Sequence, residues 1–213
     1  MRDHRPRPPG RPGVEEAVRK HRLKPVAVVL THGHIDHVAS VVPVCGAHDV
    51  PAWIHPDDRY MMSDPEKGIG RTIGMPLMGE LTVGEPADVR ELADGAKLDL
   101  AGLQLTVAHA PGHTKGSVTF GLPEAADVPP VFFSGDLLFA GSIGRTDLPG
   151  GDTAELLDSL ARVCLPLDDS TVVLAGHGPQ TTIGQERATN PYLRQVAADR
   201  PGRGTADAPR RGM

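Results

Sequence analysis

Aromatic residues are nearly missing from this chain of 213 residues: one Trp, two Tyr and four Phe make up 3% of it. The core must therefore be built from Val, Leu, Ile and Ala, within an apolar fraction of 39%. Cysteine is equally scarce. Cys45 and Cys164 both sit in apolar settings, which gives no disulfide framework and fits buried free thiols in a reducing compartment. No apolar run approaches the length of a membrane span, and the first residues lack the apolar stretch of a secretory leader. The expectation is a soluble cytoplasmic protein with no membrane partner. The length suits one generous domain with tails. No feature of the sequence speaks to oligomeric state.

Positive charge is also short where a nucleic-acid surface would need it. Residues 25–197 hold 10 Lys and Arg against 22 Asp and Glu. Phosphate contacts need clustered Lys and Arg, so this acidic body argues against nucleic acid as a partner. Some of the acids can be balanced by divalent cations, which a formal charge count ignores. The basic residues gather at the ends. Residues 1–13 combine Arg with Pro and Gly without an apolar anchor, and residues 198–213 repeat that composition. Both read as disordered tails around a domain at 14–197.

What the chain has in excess is histidine, ten in all. Four side chains able to bind a metal fall within Thr31-His32-Gly33-His34-Ile35-Asp36-His37. The apolar run Val26–Leu30 ahead of them reads as a short buried strand. His32 and His34 then share one side of an extended chain, and a helix start sends Asp36 and His37 in new directions.

Further along, Val14 to Arg22 reads as a helix with Val14, Ala17 and Val18 on one face. A second helix is expected from His37 through Val44, and a strand over 51–55. Residues 60–86, with four methionines, read as a flap or a Met-packed loop. Strands are expected at Val89–Leu92, Lys97–Leu100, Leu103–Ala108, Val118–Phe120, Val131–Phe133 and, last, Thr171–Leu174. Helices are expected over 153–163 and over 183–196, the second broken at Asn190-Pro191.

One regularity runs through this order. His113 follows a strand in Pro111-Gly112-His113-Thr114, Asp136 ends Ser134-Gly135-Asp136, and His177 ends Ala175-Gly176-His177. With His32, His34, Asp36 and His37, seven N/O ligands lie just after short apolar strands, usually beside Gly. A lone histidine is more often a hydrogen-bonded structural residue, but strands ending at one edge of a layered structure would bring all seven together. Five imidazoles and two carboxylates suit Zn, Mn or Fe rather than Ca or Mg. Seven ligands exceed the needs of one ion and suit two divalent ions sharing a carboxylate and a water.

The pattern His32-x-His34-x-Asp36-His37, then His113, Asp136 and His177, resembles the metallo-β-lactamase superfamily. The wording Pro111-Gly112-His113-Thr114, Ser134-Gly135-Asp136, Ile143-Gly144-Arg145-Thr146-Asp147 and Thr189-Asn190-Pro191 is similar to the short bacterial forms of the glyoxalase II-like hydrolases. The resemblance implies an α/β fold, the αββα sandwich. It implies that His32, His34 and His113 hold one ion, that Asp36, His37 and His177 hold the other, and that Asp136 bridges them. The implied reaction is hydrolysis of a small thioester by a metal-bridging hydroxide, with two ions, most simply Zn, as cofactors. Asp36 would serve also as a catalytic residue that orients the nucleophile or takes its proton.

Two departures from that family stand out. Members carry β-strands ahead of the histidine motif, whereas only about two dozen residues precede Pro25 here. The expected explanation is a start downstream of the natural one, with an incomplete first sheet that leaves apolar surface and open edges. Secondly, Arg145 falls where glutathione-specific members have a cationic substrate contact, but Asp147 replaces their tyrosine, and their long helical C-terminal domain is missing. Another cellular thiol is as good a carrier as glutathione. The competing readings are a mononuclear iron persulfide dioxygenase using His32, His113 and Asp136, and a metal-binding but inactive remnant. A nuclease of the same superfamily fits the acidic body poorly. His48, His55 and His109 are read as packing or surface residues, and Lys115 as a solvated charge.

Overall fold

The computed structural model describes residues 12–70, 84–126 and 128–199. In chain order it runs α1 (Pro12–His21), β1 (Val28–Val29), α2 (Ile35–Val38), α3 (Val41–His48), β2 (Ala52–Ile54), α4 (Pro56–Ser63) and α5 (Glu66–Ile69). Then come β3 (Val89–Glu91), β4 (Lys97–Leu100), β5 (Leu103–His109), β6 (Val118–Leu122), β7 (Val131–Gly135), β8 (Leu138–Phe139) and β9 (Ser142–Ile143). The chain closes with α6 (Thr153–Cys164), β10 (Val172–Ala175), β11 (Thr181–Thr182), α7 (Ile183–Thr189) and α8 (Pro191–Asp199).

Two sheets dominate the described residues. The first is parallel, in the order β1-β2-β3. The second is mixed, in the order β11-β10-β7-β6-β5-β4, with β10 and β7 its parallel pair. Side chains alternate between the faces of a strand, and that alternation sorts the interior into three cores. Val28, Ala52 and Ile54 face α2, α3 and α4 with Val38, Val41, Cys45 and Met62. Val29, Trp53 and Phe133 face inward between the sheets and pack with Leu105, Val107 and Phe120. Phe132 and Val173 face the other way, onto Leu156 and Leu160 of α6, Ile183 of α7 and Leu193 of α8. Helix, sheet, sheet and helix are thus four layers, and the expected αββα sandwich is what the chain forms.

Local chemistry sets the helix ends. Asp152 caps α6 by accepting from the amides of Ala154 and Glu155 at 2.8 and 3.0 Å. Such caps satisfy amides that have no partner within the helix. Asn190 ends α7 and its side chain accepts from the amides of Tyr192 and Leu193. With Pro191 opening α8, this is the break expected at that pair.

Several expectations need correction. The helix from His37 begins two residues earlier and divides at Ala39-Ser40 into α2 and α3. The strand over 26–30 is shorter, although Leu30 still donates to Trp53. The strand at 172–175 is not the last, because β11 pairs antiparallel to β10. The β8–β9 hairpin was not foreseen; Gly141 supplies its positive φ of 73°. Its anchor is Glu186, whose buried carboxylate accepts from Gly141 N, Thr181 Oγ1 and Asn190 Nδ2 at 2.6–2.9 Å. Of the proposed face on α1, Val14 and Ala17 are exposed and Val18 half-buried. That helix is tied instead by Glu15 to His48 Nε2 at 3.1 Å. Of the supposed flap, Met61 and Met62 are buried in α4, and residues 71–83 lie outside the described residues. So does most of both tails, although α1 takes in Pro12 and Gly13 and α8 reaches Asp199.

Among the described residues, β1 is an edge strand of the first sheet. The amides of Val28 and Leu30 donate to Pro51 and Trp53, so the backbone of Val29 faces the open side. Beside it a cleft of about 220 Å³ runs between the sheets, lined by Val29, Leu30, Phe133, Leu174 and His37.

The inter-sheet core gives a direct test of the layering. Phe120 is 2% exposed between the sheets and Leu103 is 53% exposed on β5. Phe120→Ala is expected to lower unfolding free energy by about 3–5 kcal/mol. Leu103→Ala should stay within about 0.5 kcal/mol of the parent. Urea unfolding of the two variants checks this.

Candidate metal centre

All seven residues singled out after strand ends meet at one end of the two sheets. β1 leads to His32 and His34, and both are buried at 1% and 4% exposure. His34 is extended, with φ −62° and ψ 149°, and is the residue from which α2 starts. Asp36 and His37 therefore sit on the first turn of a helix, turned away from the preceding pair. His113 comes from the turn between β5 and β6, Asp136 from the end of β7, and His177 from the end of β10.

The side chains form two trios about one carboxylate. In the first, the rings of His32, His34 and His113 lie at nearly right angles to one another, with centroids 4.6–4.9 Å apart. His34 Nδ1 and His113 Nε2 approach to 2.9 Å. In the second, His177 Nε2 is 3.0 Å from Asp36 Oδ2 and 3.3 Å from His37 Nε2. Asp136 lies between them. Its Oδ1 is 3.4 Å from His37, and its Oδ2 is 3.6 Å from both His113 and His177. Asp36 and His177 are about half exposed while the Asp136 side chain is 9% exposed, so the second trio opens to solvent and the first does not.

This donor set fits cations better than protons. Burial, reinforced by the neighbouring imidazoles, holds His32 well below the usual histidine range. Burial and then His113 bring His34 down to about 4. Burial also lowers His37, against the pull of Asp136 and Asp36. These rings are neutral near pH 7 and present lone pairs. His32 Nε2 and Asp136 Oδ1 are buried without a hydrogen-bond partner, a costly state that a bound cation relieves. His113 Nδ1 lies 2.7 Å from the carbonyl of Arg145. A carbonyl only accepts, so Nδ1 carries the proton and Nε2 is left free to face the site. Burial pushes the Asp136 carboxyl up, and the three imidazoles around it pull it back.

Not every predicted residue behaves as expected. Arg145 does not present a free cation. Its Nε and Nη2 donate to the two oxygens of Asp147 at 2.7 Å each, and this pairing holds Asp147 down to about 2. Both side chains remain exposed on a loop whose backbone orients His113. Lys115, read as a solvated charge, pairs at the surface with Glu155 at 2.9 Å. His55, Asp57 and His109 form a separate cluster. The two rings are stacked 4.2 Å apart and only 4° from parallel, which sends their in-plane lone pairs side by side and suits packing, not chelation. His109 Nε2 also bonds to the carbonyl of Lys115 at 2.8 Å. Sequence reasoning missed Asp58, which lies on the first turn of α4. It is wholly buried and bonded to both ligand loops, and nothing in its local sequence separates it from the exposed Asp57 beside it.

Comparison with known proteins now has a fold and a site to rest on. The profile of the metallo-beta-lactamase superfamily matches residues 5–177. An uncharacterized protein of Mycobacterium tuberculosis is 49% identical over 176 residues, 82% of this chain and 78% of that one. The hydroxyacylglutathione hydrolase GloC of Haemophilus influenzae is 37% identical over 168 residues, 78% of this chain and 74% of the relative. Among solved structures, the B3 metallo-beta-lactamase BLEG-1 has a TM-score of 0.75 at 39% identity, covering 85% of this chain and 83% of its own. TTHA1623, solved in a di-iron-bound form, has a TM-score of 0.71 at 39% identity, covering 85% and 84%. The chain belongs to the metallo-beta-lactamase superfamily, which points to a metal-dependent hydrolase. No helix among the described residues is long and apolar enough to cross a membrane.

The depressed histidines make stability pH-dependent in protein stripped of metal. His34 stays neutral in the fold down to about 4, whereas the unfolded chain takes up its proton near 6.5. The stability these neutral rings permit is present above pH 6.5 and is lost as pH falls toward 4, because the unfolded state then binds more protons. Denaturant unfolding of chelator-treated protein across that range should show the decline, and His34→Asn should make it shallower.

Proposed function

We propose that the protein is a binuclear metal-dependent hydrolase of small thioesters of the S-2-hydroxyacyl-thiol type. The observation that carries this reading is the pair of ligand trios facing one another across the Asp136 carboxylate. His32, His34 and His113 would hold one divalent ion, Asp36, His37 and His177 the other, with Asp136 in reach of both. Zinc is the proposed metal, since imidazole and carboxylate donors suit it, and iron, as in the form of TTHA1623, uses the same donors. Divalent ions held there would supply Lewis acidity, lowering the pKa of water and polarising a carbonyl.

The chain's own groups set the geometry of the reaction. Water must form a C–O bond at the thioester carbonyl as the C–S bond breaks. Asp36, half exposed and 3.0 Å from His177 through Oδ2, is placed on the open side to orient that water and take its proton. The likeness to GloC supports the reaction class. Burial raises the Cys45 thiol to about 11 and pushes Cys164 higher still, so both stay as unreactive thiols, which supports a reducing, cytoplasmic setting. The proposed partner is a small-molecule thioester only.

The Arg145–Asp147 pairing bears on the carrier. A guanidinium already held by a carboxylate is a weakened grip for a thiol that carries a carboxylate of its own. Asp147→Asn is expected to raise kcat/KM several-fold for a carboxylate-bearing thioester and to leave its amidated analogue unchanged. Steady-state kinetics with the matched pair of substrates checks it.

The reading itself is tested by metal analysis together with S-lactoyl-thiol hydrolysis. Two ions per chain and turnover are expected, and Asp136→Asn should lose more than about 100-fold in activity, beyond the 10–100-fold typical of residues behind a ligand. One iron per chain with oxygen uptake on a persulfide would support the dioxygenase instead. Metal uptake without either reaction would support the inactive remnant.

A further inference from the structure

Between the two loops that deliver the first trio lies a carboxylate that makes no salt bridge among the described residues. Asp58, on the first turn of α4, is 0% exposed. Its Oδ2 accepts from the amide of Gly33 at 2.9 Å and from the hydroxyl of Thr114 at 2.6 Å. Its Oδ1 accepts from the amide of Gly116 at 2.7 Å. Gly33 stands between His32 and His34, and Thr114 and Gly116 follow His113. One carboxylate therefore grips all three chain positions of the first trio and none of the second.

The fit is close on both sides. A Cβ at Gly33 would come 2.7 Å from the Asp58 carbonyl oxygen, and one at Gly116 would come 2.7 Å from the Asp58 carboxyl carbon. Such distances force something to move, so glycine at both positions is what lets α4 wedge between the loops. The donors are two amides and a hydroxyl, and Ser117 Oγ completes the Thr114 hydroxyl at 2.7 Å. Only an acceptor-only carboxylate serves all of them, since an amide would turn a donor toward one of the N–H groups. Burying a carboxylate with neutral partners alone is costly, and burial does push Asp58 up from the usual carboxylate range. A residue retained at that cost, in contact with both ligand loops, has its effect at the ligands.

We propose that Asp58 is a positioning residue for the first metal ion, holding the His32–His34 loop and the His113 loop at chelating distance while leaving the second ion's ligands alone. The proposal rests on the reading of the trios as metal ligands.

The test measures zinc affinity by competition with a chromophoric chelator, and the cobalt absorption spectrum, in the full chain. His177→Ala isolates the first trio and His113→Ala isolates the second. In the first background Asp58→Asn should weaken zinc about 10–100-fold and alter the cobalt d–d bands. In the second background it should change affinity less than twofold. Thr114→Val should weaken the first trio by a smaller factor, and Thr114→Ser, which keeps the hydroxyl, should restore it. Equal weakening of both trios, or no change at the first, would overturn the proposal. If Asp58→Asn does not fold, the Thr114 pair decides, and identical affinities for Val and Ser would overturn it. If the unsubstituted trio takes up no zinc, the metal reading fails rather than the role of Asp58.

Discussion

The structure depends on one electrostatic constraint, the crowding of imidazoles around a largely buried carboxylate. His34 and His113 bring ring nitrogens within 2.9 Å, His37 and His177 within 3.3 Å, and Asp136 stands between the pairs. Protons cannot relieve this crowding, because burial has already moved His32, His34 and His37 toward the neutral form. A cation can, because it uses the lone pairs that burial exposes. The rest of the fold serves that arrangement. β1, β7 and β10 end at the same edge, and the three apolar cores hold those strands so that the ligands meet.

The division between the trios is also a division of labour in solvent access. The first is sealed by β1, α4 and the loop after β5, and is gripped by Asp58. The second faces outward through Asp36 and His177, where a substrate can reach it. The loop after β9 closes the inner side, its Arg145 carbonyl fixing the tautomer of His113. One short stretch thus combines a role in orienting a ligand with an exposed ion pair between Arg145 and Asp147.

Much of this was legible in the sequence because it is written locally. Period-two alternation marks the strands, and a Gly-flanked His or Asp after each apolar run marks its end. Asp152 and Asn190-Pro191 signal their helix boundaries by side-chain chemistry that acts within three residues. What could not be read depends on partners distant in the chain. The β8–β9 hairpin is held by Glu186 some 45 residues later, and a two-residue strand has no periodicity to detect. Asp58 reaches Gly33 and Gly116 across 25 and 58 residues, whereas its neighbour Asp57 is exposed and identical in kind. Arg145 was read from its motif as a cationic contact, and its pairing with Asp147 depends on side-chain direction, which spacing does not give.

The central claim is that two cations flank Asp136. Anomalous diffraction from crystals grown with zinc measures this most directly. The account predicts two peaks per chain, one within bonding distance of His32, His34 and His113 and one within bonding distance of Asp36, His37 and His177, with Asp136 touching both. A single peak held by His32, His113 and Asp136, or no peak at these residues, would contradict it.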